Sequence, residues 1–168
     1  VIEREATTIA LTPKELDAII ALDLSNSPRL TKVRDMFLLQ CYTGIRYSDL
    51  SSLKPVHFDL EEGYIRRHAQ KTTGALKVPL TKKALEIIAR YPDLRLPVIS
   101  NQKMNEYIKE LGKLAGMTKE TVITRFRGNV QVDEVVKRYE ALGTHTGRRT
   151  FITESLRRGM GTRMLMNT

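Results

Sequence analysis

Residues 43–53 read Thr43-Gly44-Ile45-Arg46-Tyr47-Ser48-Asp49-Leu50-Ser51-Ser52-Leu53, and the parsing of this stretch decides the fold. Upstream of it Val33, Phe37, Leu38 and Cys41 recur at helical spacing, so a helix runs into Gly44, a residue free to adopt the left-handed backbone of a helix stop. Arg46 stands just past that stop. Tyr47 to Lys54 then predicts a short helix closed by Pro55, because a proline disfavours helical backbone in the residue before it. Taken alone, an arginine in this place is what a solvated charge after a helix C-terminus also looks like.

Outward from this stretch the periodicity alternates between helical and extended. Thr12-Pro13-Lys14-Glu15 is a capping box with proline at the first helical position, and Leu16, Ile19 and Ile20 continue an apolar stripe. Ser25 to Pro28 is a turn. On the other side Asp59, Glu61, Glu62 and Gly63 suit a turn, and Tyr64 to His68 and Leu76 to Leu80 read as two strands. The connection Ala69 to Ala75, with Gly74 as turn former, carries Lys71. Thr81 caps a helix bearing Leu85, Ile87 and Ile88; Asn101 caps another with Met104, Tyr107, Ile108, Leu111 and Leu114, stopped at Gly116. Thr121 to Tyr139 alternates around Gly128-Asn129 as a second hairpin, and Thr144 to Arg158 returns to a helix. No internal repeat, low-complexity tract or linker interrupts the 168 residues, so one mainly α-helical domain with a small antiparallel β-sheet is expected over 1–168.

Lysine plus arginine outnumber aspartate plus glutamate 28 to 19, a formal charge of +9 that favours a polyanionic partner. The excess gathers at one end: from Arg125 onward there are nine basic residues against four acidic ones. The lone cysteine, Cys41, lies in the apolar run Met36 to Tyr42 and reads as core filling, which excludes an internal disulfide and a cysteine-based metal site. No stretch approaches the roughly 18 apolar residues of a membrane helix, and Val1 to Thr8 lacks a signal-peptide pattern; the expectation is a reducing, cytoplasmic setting without a membrane. Among the tyrosines, Tyr42 and Tyr107 fall on apolar stripes and are core candidates, whereas Tyr47, Tyr64, Tyr91 and Tyr139 read as surface or hairpin residues. His57 and His68 lack a partner at metal-ligand spacing and read as polar surface or strand residues.

Four residues could together carry chemistry: Arg46, Lys71, His145 and Arg148. His145 and Arg148 are three apart and share one helix face, so they could grip one group, although singly each passes for an ordinary surface residue.

Order and context single them out. The stretch from Thr43 to Leu53 resembles the first arginine motif of tyrosine recombinases, the phage-integrase family, which carries an acidic residue three after the arginine; Asp49 meets that pattern. The strand-turn-strand bearing Lys71 follows where the family places its catalytic-lysine hairpin, and His145-Thr146-Gly147-Arg148-Arg149-Thr150-Phe151-Ile152-Thr153 resembles its His-x-x-Arg helix. The resemblance runs from about Leu11 to the end, where Gly159 and Gly161 before Met164-Leu165-Met166 look like the family's approach to its next histidine. It is closest to integrases of conjugative transposons. Gly147 departs from it, since many members carry a larger apolar residue there.

The resemblance implies the catalytic core of DNA breaking-rejoining enzymes. Arg46 and Arg148 would clamp the non-bridging oxygens of the scissile phosphate with planar, permanently charged forks, a job lysine does poorly. Lys71 would protonate the leaving 5′ oxygen, His145 would assist proton transfer, and Asp49 would brace Arg46. Arg149, Lys77, Arg125 and Arg127 would touch double-stranded DNA. A tyrosine nucleophile conserves bond energy as a 3′-phosphotyrosyl ester, so neither ATP nor metal, and no cofactor, is implied. All six tyrosines precede His145, none in the nucleophile's place. The resemblance therefore implies that the segment with the second histidine or tryptophan and the tyrosine lies beyond Thr168, and that a DNA-clasping domain precedes Val1. It also implies a DNA-bound tetramer for the full-length enzyme and a monomer for a chain without the tail. Two other readings are a non-catalytic DNA-binding protein that keeps the clamp, and a helical RNA- or partner-binding module; aromatics at 6% argue against base-stacking platforms.

Overall fold

Thr12 accepts from the Glu15 N–H at 3.2 Å while the Glu15 carboxylate accepts from the Thr12 N–H at 2.9 Å, and this reciprocal cap starts α1 (Pro13–Ile20). The computed structural model describes residues 9–68 and 74–161. After α1, Ser27 caps α2 (Pro28–Thr43), which ends at Gly44 with φ 70° and its N–H donating to Gln40 O. α3 (Tyr47–Ser51) follows at once, then a 3-10 turn over Pro55–His57. β1 (Phe58–Asp59), β2 (Tyr64–Arg67) and β3 (Leu76–Pro79) form an antiparallel sheet in the order β1-β2-β3. Thr81 caps α4 (Lys82–Ile88) and Ser100 caps α5 (Asn101–Leu114). β4 (Glu120–Arg127) and β5 (Val130–Lys137) pair antiparallel across Gly128, and a 3-10 turn over Arg138–Ala141 leads to α6 (Thr144–Arg157).

The expected class, mainly α with antiparallel β, is what the chain adopts, with two differences. Among the described residues there are two sheets, because β4 pairs there only with β5, and β1 enters where the sequence reads as a turn. A two-residue strand is too short to show alternation. The cap of α5 is Ser100 rather than Asn101, which leaves Asn101 free to accept from the Thr144 hydroxyl at 3.0 Å.

α2 is the axis of the core. Met36, Phe37, Leu38, Leu39, Gln40 and Cys41 are consecutive and all buried, so the helix is covered on every side, by α4, α5 and α6. Cys41 is core filling, and burial pushes its thiol up, away from the reactive thiolate. The departure at Gly147 has a packing cause: a Cβ there would sit 2.8 Å from Gln40 Cβ and 3.3 Å from Phe37 O. Glycine lets the backbone of α6 lie against α2. Polar ties close the rest. Arg138 grips both carboxylate oxygens of Glu15 at 2.9 and 3.0 Å and donates to Ala10 O, and the Leu11 N–H donates to Thr150 Oγ at 2.9 Å. Buried Asp35 accepts from Arg90 and, at 2.7 Å, from the Tyr91 hydroxyl. Tyr47, Tyr91 and Tyr139 therefore correct their surface reading: all three are partly buried and pack on the core. Among the described residues no helix is long and apolar enough to cross a membrane.

Two outcomes follow from this packing. Gly147→Val overpacks the α2–α6 contact and should lower unfolding stability by about 1–3 kcal/mol in urea titration. Glu15 gives a pH dependence. Burial alone would raise its carboxyl, but the hydrogen bonds from Arg138 and Thr12 and the Arg138 charge outweigh it and hold the value below the ordinary 4.5. Its stabilising contribution is thus complete above pH 4.5 and lost as pH falls through the lower folded value. Glu15→Gln should be less stable than the parent at pH 7 and flatter in melting temperature below pH 4.5, and parallel acid profiles for the two proteins would contradict this.

Candidate active site

The site is assembled where α2 ends. Thr43 accepts from the Ile45 N–H at 3.3 Å and donates to Leu39 O at 2.6 Å, and the Gln40 amide donates to Ile45 O at 3.2 Å. Every side-chain contact in this corner is buried, so the backbone that presents Arg46 is fixed from below. Arg46 is the extended N-cap residue of α3, φ −69° and ψ 148°, with its side chain exposed.

Arg148 reaches the same corner from α6. Its Nη1 donates to Gly44 O at 2.5 Å, across 104 residues of chain. Phe151, one turn away on α6, lies over Gly44, where a Cβ would meet its ring at 2.3 Å. Burial weakens the hold of Arg148 on its proton, the Arg46 charge adds to that, and Asp49 opposes it. The structure therefore brings Arg46, Asp49 and Arg148 within electrostatic reach of one another.

Asp49 does not have the partner expected of it. Its Oδ1 accepts from Arg67 Nη2 at 2.7 Å, and Arg67 Nη1 donates to Ser52 Oγ at 2.5 Å. The side chains of Arg67 and Asp49 are only 10% and 19% exposed, so this pair is a largely buried tie between β2 and α3. Asp49 faces the sheet, while Arg46 leaves the helix start toward solvent; the brace on Arg46 gives way to a brace on Arg67. Sequence reading passed over Arg67, although it shares the strand face of fully buried Ile65, where an arginine needs a partner.

His145 is exposed on the first turn of α6, three residues before Arg148 and on its face of the helix. Lys71 lies outside the described residues, in the segment that joins β2 to β3. Of the residues expected to meet DNA, Lys77 is exposed on β3 with its ammonium 4.6 Å from the Tyr64 ring centre. Arg125 pairs with Glu134 at 3.0 Å on the β4–β5 hairpin, Arg127 is exposed near the hairpin tip, and Arg149 is partly buried on α6. His57 accepts from the Lys54 N–H through Nδ1 at 3.0 Å, a turn-closing role.

The start of α6 is held from α5. Asn105 Oδ1 accepts from the Thr144 N–H at 2.8 Å and the Thr146 hydroxyl accepts from the Gly143 N–H at 3.0 Å. These contacts supply the partners that a glycine N-cap cannot. Asn101 and Asn105 are four apart beside the apolar stripe of α5, a polar ridge that sequence reading also passed over.

The family model described as the phage integrase family matches residues 10–168. The chain belongs to that family. Tyrosine recombinase XerC of Thermodesulfovibrio yellowstonii is 26% identical over 158 residues, which is 89% of this chain and 50% of that protein. Tyrosine recombinase XerD of Xanthomonas campestris pv. campestris is 30% identical over 94 residues, 56% of this chain and 29% of that protein. The chain thus spans half or less of the length of these relatives. Among solved structures, XerA recombinase superposes with a TM-score of 0.64 at 24% identity over 96% of this chain and 56% of that one. The Tn1549 transposon integrase, in complex with circular intermediate DNA, superposes with 0.71 at 16% identity over 98% of this chain and 59% of that one. Their fold is the fold found here.

Because Arg67 joins the sheet to α3 through charge-assisted bonds, Arg67→Met leaves Asp49 without its donor. A loss of about 1.5–3 kcal/mol is expected in denaturant titration, the range for hydrogen bonds to charged groups; a change within 0.5 kcal/mol, roughly the level of ordinary surface substitutions, would show the tie to be ornamental.

Proposed function

We propose that this domain acts in site-specific DNA recombination, breaking and rejoining strands through a 3′-phosphotyrosyl intermediate, with Arg46, Arg148, His145 and Lys71 set around the scissile phosphate. The observation that carries the reading is the convergence on one corner of Arg46 and half-buried Arg148, where burial and then the Arg46 charge weaken the protonated state of Arg148, a cost that an anion between them would offset. A phosphodiester under nucleophilic attack is such an anion, and its charge grows on the non-bridging oxygens as the bond to phosphorus forms. The Gly44 carbonyl orients Arg148 beforehand, so little reorganisation is left to the reacting complex.

In this reading the tyrosine oxygen forms the new bond to phosphorus and the 5′ oxygen leaves, taking a proton from Lys71. His145 holds the phosphate and shares in proton transfer. Asp49 holds Arg67 and offsets part of the charge on Arg148. No tyrosine follows His145 in the sequence, so the reading assigns the nucleophile to none of the six tyrosines here. The Tn1549 integrase and XerH, whose structures are described as complexes with circular intermediate DNA and with the difH substrate, support double-stranded DNA as the partner. Arg149, Lys77 and Arg127 would then meet its backbone, and the working assembly on DNA would be a tetramer.

In the intact gene product, Arg46→Ala and Arg148→Ala should each reduce covalent adduct formation on nicked duplex DNA by at least about 100-fold, as loss of one oxyanion donor does elsewhere. Their melting temperatures should stay near the parent's. Cleavage within a factor of ten of the parent would sink the clamp. Chain 1–168 alone should bind duplex with a steep salt dependence and form no adduct.

A further inference from the structure

A cleft of about 310 Å³ opens beside the start of α6, lined by Asn105 and Lys109 of α5, Ile123 and Arg125 of β4, and Gly143, Thr144 and His145, with Glu140 at its rim. We propose that this cleft is a second DNA phosphate site, in which Lys109 and Arg125 hold the phosphodiester next to the one gripped by Arg46, His145 and Arg148. The inference rests on the proposed reading of those three residues.

Three observations point to it. First, Lys109 is half-buried, with its ammonium anchored on Leu142 O, so one of its three protons is spent and two remain for a ligand. Burial, with the charge of Arg125 added, pulls Lys109 below its ordinary value; an anion in the cleft offsets both effects. Second, the anchor is deliberate packing. Asn101, Asn105 and Lys109 recur every four residues on one ridge of α5, and all three bond to residues 142–144. At Gly112, next along that ridge, a Cβ would fall 2.5 Å from Leu142 Cδ1. Lys109 is therefore held at the cleft floor rather than waving in solvent.

Third, the spacing fits a strand of DNA. His145 lines the cleft and Arg148 lies three residues, about 4.5 Å of rise, further along α6. Phosphates of one DNA strand recur every 3.4 Å or so of helix axis. A strand following α6 could therefore set one phosphate at Arg148 and another at the cleft. Arg125 keeps its 3.0 Å pair with Glu134 and Glu140 also lines the cleft, so the two cations are largely balanced and suit a monoanionic diester better than a dianion.

The test is the salt dependence of duplex binding by the chain, measured for Lys109→Gln, Lys109→Arg and Lys32→Gln. Lys32 is exposed near the start of α2, far from Gly44 along the helix, and its substitution changes net charge equally. Lys109→Gln should weaken binding roughly fivefold near 0.15 M salt and lower the slope of log affinity against log salt by about one. Lys109→Arg and Lys32→Gln should keep the parent slope. An unchanged slope in Lys109→Gln, with the parent still binding duplex, would overturn the second site and leave the clamp standing. Failure of the parent to bind duplex would overturn both. Replacing chloride by inorganic phosphate at equal ionic strength should preserve the difference between parent and Lys109→Gln; its disappearance would mark the cleft as a free-phosphate site and end the proposal.

Discussion

The hydrogen bond from Arg148 to the Gly44 carbonyl can form only if α6 lies in backbone contact with α2, and the rest of the molecule is arranged around that requirement. Two glycines permit it. Gly147 removes the Cβ that would strike Gln40, and Gly44 both turns the chain in the left-handed region and leaves room for the Phe151 ring. The buried run from Met36 to Cys41 then has helices on all sides, and its side chains lie in the core. Arg46 leaves this corner from a backbone already fixed by Thr43 and Gln40. Placement of both arginines is thus a by-product of how one buried helix is covered.

Electrostatics adds a second layer. Half-buried Arg148 loses hydration and faces Arg46, so the corner stores unfavourable charge that Asp49 only partly offsets. Arg67 brings another guanidinium to the Asp49 carboxylate, so the corner gathers more positive than negative charge. Such a corner favours an anion, because Arg148 is held by the Gly44 carbonyl and Arg67 by the Asp49 carboxylate.

Much of this was legible in the sequence, and the gaps have physical causes. Helix starts at Thr12 and Thr81 and the stop at Gly44 announce themselves through short-range capping chemistry. The ordered motifs around Arg46 and His145 pointed to the family that the match over residues 10–168 establishes. What did not show were tertiary partners. Asp49 was read with its sequence neighbour Arg46, but a carboxylate on the first turn of α3 meets Arg67, 18 residues on, because β2 passes there. Tyr47, Tyr91 and Tyr139 read as surface because polarity says nothing of which side of an element is covered. Asn101 looked like a cap until Ser100 took that place and Asn101 bonded to Thr144. Gly147 looked like a departure from pattern and is a consequence of helix spacing.

The tie between Gly44 and Arg148, 104 residues apart, and that between Leu11 and Thr150, 139 apart, also bear on how the chain is made. Synthesis runs from the N-terminus, so α2 leaves the ribosome long before the helix that covers it. Until α6 emerges, the buried stretch around Phe37 has one uncovered flank and the two arginines have not met. The corner where Gly44, Arg46 and Arg148 meet is therefore complete only once α6 has been made.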